Sequence, residues 1–137
     1  MAESVMTYMI SQRGLGNKIL VDSAAAHTDE IGNPPYPGTC KKLASEGIPL
    51  VPHRARLMTR EDGDRFDLLV GMDWHNVSDM RRIVGYQNAS KVCMLLDCTE
   101  HPRAVVDPWY TGDFDATYRD ITEGCAALLD RIVALTE

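Results

Sequence analysis

The feature that most constrains this fold is a pair of strand-length runs whose cores, 68–72 and 92–96, are continuously apolar. FDLLVGM occupies 66–72 and KVCMLL occupies 91–96, with a helical stretch at 73–84 between them. A strand exposed on one face alternates apolar with polar residues. A run that is apolar throughout is buried on both faces, as parallel strands are when helices cover both sides of their sheet. Strand, helix, strand at this spacing reads as a right-handed βαβ unit.

The alternation continues along the chain. An amphipathic helix opens the sequence, with Val5, Met6, Met9 and Ile10 on one face and Gly14 or Gly16 placed to end it. A short buried strand is expected at 19–21. The loop HTDEIGNPPYPG is rich in turn formers, so no helix is expected before Pro37. A helix at 39–46 is closed by Gly47, and Thr59 with Asp62 three residues on resembles a capping box. A long loop is expected at 97–112. The last helix is expected at 113–135, its apolar stripe of Phe114, Tyr118, Ile121, Cys125, Leu128, Leu129, Ile132 and Val133 following 3–4 spacing.

This pattern implies an α/β fold, three layers built on a parallel sheet, in a single domain spanning 1–137. Only three strands are convincing, and the opening helix has no residue ahead of Met1 to cap it. Doubly wound domains begin with a strand, so the first strand is expected to be missing from these residues. An exposed apolar strand edge favours association, and a homodimer or strand-swapped assembly is expected.

Composition excludes several classes of function. The net charge is −6 and no basic stripe is present, which argues against nucleic acid or an anionic membrane as the main partner. No apolar run approaches the roughly 20 residues that span a bilayer. No basic segment followed by an apolar core marks a signal peptide. Four cysteines at irregular spacing are too few for a disulfide scaffold, so reduced thiols and a cytoplasmic location are expected.

Three constellations have plain structural explanations. Cys93, Cys98 and His101 have x4 then x2 spacing, which suits no usual zinc ligand pair, and no metal or other cofactor is expected. Cys125 and Arg131 bracket five residues in a C-x5-R pattern. They lie within the last helix, where they read as a core cysteine and a surface arginine. Asp113, Asp115 and, further on, Asp120 read as helix N-terminal charges favoured by the dipole.

Four blocks in order carry a resemblance. VDSAAAHTDEIGNPP, GIPLVPHRARLMTRED, DLLVGMD followed by Asn76, and VDPWYTGDF resemble segments of the low-molecular-weight protein tyrosine phosphatases. The resemblance runs the length of the chain and implies a phosphatase, flavodoxin-like parallel sheet. That family carries its cysteine nucleophile in a C-x5-R-S loop between the first strand and first helix. No such loop occurs in 1–137, and the segment MAE that usually follows it is where this chain begins.

The resemblance assigns roles to residues that are present. Asp107, in the DPWY segment, is the implied general acid, protonating the leaving phenolate oxygen. Trp109 and Tyr110 are implied walls of the aryl pocket, although the family often has two tyrosines there. Ser23 and His53 are implied braces of the phosphate loop, expected to be orphaned or wet without it. Tyr36 and Gly38 stand where the family often has an aspartate and an arginine, so an ion pair there is in doubt.

Phosphotyrosine proteins or small aryl phosphates are the implied substrates, with phosphoarginine left open. Lacking its nucleophile loop, the chain is expected to be inactive as it stands. The alternatives are a catalytically dead short form serving as a binding or regulatory module, or a fragment held together by another chain.

Overall fold

The computed structural model describes residues 1–25, 37–52, 56–106 and 112–136. Helix α1 (Ala2–Gln12) follows Met1 directly and has no side-chain hydrogen bond at its N-cap. It ends before Gly14, whose φ of 70° is the left-handed conformation that costs glycine least. Helix α2 (Pro37–Ser45) starts on proline. In the capping box of α3 (Arg60–Arg65), the Asp62 carboxylate accepts the Thr59 N–H at 2.8 Å. Asp73 caps α4 (Trp74–Val84), accepting the Asn76 N–H at 2.7 Å. Helix α5 (Phe114–Thr136) closes the chain.

The expected βαβ unit is present. Strands β1 (Leu69–Gly71) and β2 (Val92–Met94) are parallel, with Leu69 opposite Val92, Val70 opposite Cys93 and Gly71 opposite Met94. Both are shorter than their apolar runs. After β2 the Asp97 carboxylate accepts the Met94 N–H at 2.8 Å and draws the chain into a 3-10 turn, Leu95–Cys98. Leu95 and Leu96 are therefore buried in a turn rather than a strand. A second 3-10 helix, Tyr86–Lys91, joins α4 to β2. Neither turn was expected from the sequence.

The strand expected at 19–21 is corrected by the structure. Residues 19–24 form neither helix nor turn, and the first ladder contact after them is a single parallel bridge between Ala25 and Leu57. Among the described residues the sheet has two strands, β1 and β2. Without a neighbouring strand, apolar character alone does not give 19–21 a ladder.

Period-two alternation along β1 makes the three layers. Val70 and Met72 pack on the cluster formed by α1, α2 and α5, whose members include Val5, Leu43 and Leu129. Leu69 packs on the opposite cluster, with Val77, Met80 and Val84 of α4 and with Val92 and Met94. Leu43, Leu96 and Leu129 are fully inaccessible, each contributing about 1.5–3 kcal/mol by burial. Helix α5 reaches the turn at Leu95 through Gly124. A Cβ there would lie 2.6 Å from Leu95 Cγ and 3.0 Å from its carbonyl oxygen.

Candidate functional site

In parallel α/β domains, ligands bind at the carboxyl ends of the strands. At that end of β1, the Met72 N–H donates to Asn76 Oδ1 at 3.1 Å, and the Met72 carbonyl accepts the Val105 N–H at 2.9 Å. The chain entering the DPWY segment is thus tied to the sheet. It is also tied to α5: the Val106 N–H donates to Asp120 Oδ2 at 3.0 Å, and Thr117 Oγ1 donates to the Val106 carbonyl at 2.7 Å. Both polar groups of Val106 are held immediately before Asp107.

Asp120 is corrected by this arrangement. It is buried, with Arg103 donating to its other oxygen at 2.7 Å and to Glu123 at 3.0 Å. It is an acceptor for the loop rather than a helix-dipole charge. Asp113 does cap α5, accepting the Ala116 N–H at 2.9 Å, while Asp115 pairs with Lys42 at 2.6 Å. The signal for the clamp was available: Thr117 and Asp120 are polar residues three apart beside an otherwise apolar stripe.

Ser23 is not orphaned. Its hydroxyl donates to Glu3 Oε1 in the first turn of α1 at 2.9 Å. The segment approaching His53 is also attached to α1, since the Val51 N–H donates to Ser4 Oγ at 3.0 Å. Ser4 itself is buried. His53, Asp107, Trp109 and Tyr110 lie outside the described residues.

Below Ser23, Arg56 joins two acids, donating to Asp62 at 3.0 Å and to Asp22 at 3.0 Å. Burial alone would raise the Asp62 carboxyl. The Arg56 hydrogen bond and the Thr59 N–H outweigh it and hold that carboxyl below its ordinary value.

Two of the thiols, Cys93 and Cys125, are shifted away from activation. Burial pushes Cys125 up to about 12. Cys93 is raised by burial and then by the neighbouring Asp97 and Cys98. A nucleophilic thiolate needs the opposite shift, from helix N-terminal amides or cations. Cys125 instead faces the core, 4.0 Å from the Ala2 carbonyl. Among the described residues no group of three or more His, Cys, Asp or Glu side chains is placed to hold a metal ion, the Cys93, Cys98 and His101 set included.

Helices on both faces of a parallel sheet, with tethered loops gathered at its carboxyl end, define a doubly wound α/β domain. The family model described as low molecular weight phosphotyrosine protein phosphatase matches residues 1–136. The chain is 38% identical over 134 residues to the low molecular weight protein-tyrosine-phosphatase YfkJ of Bacillus subtilis, covering 96% of this chain and 86% of that one. The low molecular weight phosphotyrosine protein phosphatase of Homo sapiens is 34% identical over 140 residues, covering 95% and 85%. The crystal structure of YfkJ superposes with a TM-score of 0.94 over 99% of this chain and 87% of that one, at 36% identity. The chain belongs to the low molecular weight phosphotyrosine protein phosphatase family, and its α/β fold is the phosphatase fold of that family.

Proposed function

We propose that this domain serves phosphotyrosine ester hydrolysis through a cysteinyl-phosphate intermediate. Residues 1–137 supply its acid and aryl-binding elements but not its nucleophile, and by themselves they do not turn over substrate. Asp107 donates its proton to the leaving phenolate oxygen as the P–O bond breaks. Trp109 and Tyr110 flank the aryl ring, so phosphotyrosine on proteins and small aryl phosphates are the substrate class. Ser23 and His53 brace the phosphate-binding loop.

Two supports stand behind the catalytic half of this reading. Relatives carrying the phosphatase name match along nearly the whole chain. The Asp120 and Thr117 bonds also hold Val106 where a fixed acid loop must begin. The observation that carries the inactivity is Cys125. It heads the sequence's single C-x5-R pattern, but sits in mid-helix with a thiol pushed up to about 12.

The test is p-nitrophenyl phosphate hydrolysis by purified chain whose intact mass matches residues 1–137. The expected result is no turnover above the enzyme-free rate. Turnover that vanishes in Asp107→Ala and survives in Cys125→Ser would overturn the account of the nucleophile, because another group in these residues would be attacking phosphorus.

A further inference from the structure

Two thiols outside the candidate site face the same layer of the fold. Val92 and Met94 pack towards α4, so Cys93 between them points to the opposite layer, as does Val70 across the ladder. The chain then turns at Leu95–Cys98. Leu95 belongs to the cluster of α1, α2 and α5, and Cys98 packs against that cluster too. Residues three apart in a 3-10 helix eclipse one another, which puts Cys98 on the side of Leu95. Both thiols are free and partly buried. Burial raises the Cys93 thiol first, and charge at Asp97 and then at Cys98 raises it further, while Arg131 of α5 lowers it. The two sulfurs are therefore near enough to act on each other.

The turn between them is firmly held. The Met94 N–H donates to Asp97 Oδ2 at 2.8 Å. The Thr99 N–H and Thr99 Oγ1 both donate to the Leu96 carbonyl, at 3.1 and 2.7 Å. From Thr99 the chain runs on to Val105 and Val106, where it is tied to Met72 and to Asp120.

We infer that Cys93 and Cys98 are a reversible redox pair, closed by a low-molecular-weight disulfide into an internal disulfide that staples the Leu95–Cys98 turn to β2. One cysteine thiolate attacks a sulfur of the small disulfide and displaces one small thiolate. The other cysteine thiolate attacks the protein sulfur of that mixed disulfide and displaces the second. Two protein thiols are oxidised, one small disulfide is reduced to two thiols, and the protons pass to the released thiolates. A partly exposed pair is open both to the small oxidant and to the thiol that reverses the bond, the pattern of a regulatory disulfide. Cys125 is a poor partner for either, being buried with its thiol pushed up to about 12. Nothing in this device depends on the catalytic reading.

The probe is glutathione disulfide mixed with glutathione at set ratios and added to the purified chain. Trypsin cuts after Lys91 and Arg103, so both cysteines fall in one peptide, 92–103. After an acid quench and denaturation, closure reads as a peptide that has lost two hydrogens and takes up no iodoacetamide. The fold already turns both thiols to one layer, so the native chain should be half closed at a disulfide ratio about tenfold below that needed by the free synthetic peptide 92–103. Dithiothreitol should reopen it. Amide exchange at Thr99 should slow on closure, because the stapled turn keeps its bond to Leu96 for longer. Cys98→Ser should abolish the mass change, and Cys40→Ser should leave it intact. Cys98 is only partly buried, so its variant keeps the test valid if Cys93→Ser fails to fold. Closure no easier than in the free peptide, glutathione retained on either cysteine, or a link to Cys40 would overturn the proposal. Faster exchange at Thr99 would overturn it too, since the bond would then form at the expense of the turn.

Discussion

Asp120 Oδ2 accepts the Val106 N–H at 3.0 Å, so a buried carboxylate on α5 holds the residue immediately before Asp107. The same carboxylate takes a 2.7 Å hydrogen bond from Arg103 on its other oxygen, which fixes its orientation. The link crosses fourteen residues of sequence and connects the last helix to the candidate acid loop.

Asp120→Ala should therefore destabilise the fold and loosen the loop together. Leaving the Val106 N–H without its acceptor costs about 1–3 kcal/mol. Urea unfolding should show the lower midpoint, and native-state hydrogen exchange should show faster exchange at Val106 than at the Val105 amide, whose partner is the Met72 carbonyl. Unchanged exchange at Val106 would count against the clamp.

Stability should fall at both ends of the pH range. The Asp62 carboxyl is held below its ordinary value in the fold, so its contribution is complete above the unfolded value, about 4, and is lost as pH drops through the folded one. The Cys125 thiol is raised to about 12. Its contribution is complete below the unfolded value, about 8.5, and is lost as pH rises from there towards 12. Urea midpoints measured across pH should show both limbs, with Asp62→Asn flattening the acid limb and Cys125→Ala the alkaline one.

Cys125 should be the last thiol to react. Its side chain is buried and its thiolate is disfavoured, whereas Cys40, Cys93 and Cys98 are only partly buried. Iodoacetamide labelling of the native chain, mapped by mass spectrometry, should modify Cys125 only under denaturing conditions. Early labelling of Cys125 would contradict its core placement.

Gly124→Ala should destabilise although alanine is the better helix former. The new methyl would meet Leu95 Cγ at 2.6 Å, and overpacking of this kind costs about 1–3 kcal/mol against a propensity gain of about 1 kcal/mol. Reversion by Leu95→Ala in the same chain, read as a partly restored urea midpoint, would confirm that the two side chains compete for one space.

What sequence alone determined is local. The βαβ unit, the Gly14 and Gly47 helix stops, the Thr59 and Asp62 capping box and the core placement of Cys125 all depend on neighbours within a few turns. Periodicity, propensity and capping chemistry act over that range, so residue order is enough to read them. The four resembling blocks likewise carried the family and its fold.

Tertiary structure decided whatever needed a distant partner. Residues 19–21 look like a strand in composition, but among the described residues no strand pairs with them. Asp97 turned Leu95 and Leu96 out of β2, and Ser23 found Glu3 twenty residues away. Asp120, read as a helix N-terminal charge, became the buried acceptor for the loop before Asp107. A hydrogen bond or a ladder is satisfied in space, and chain order does not say which groups folding will bring within 3 Å of one another.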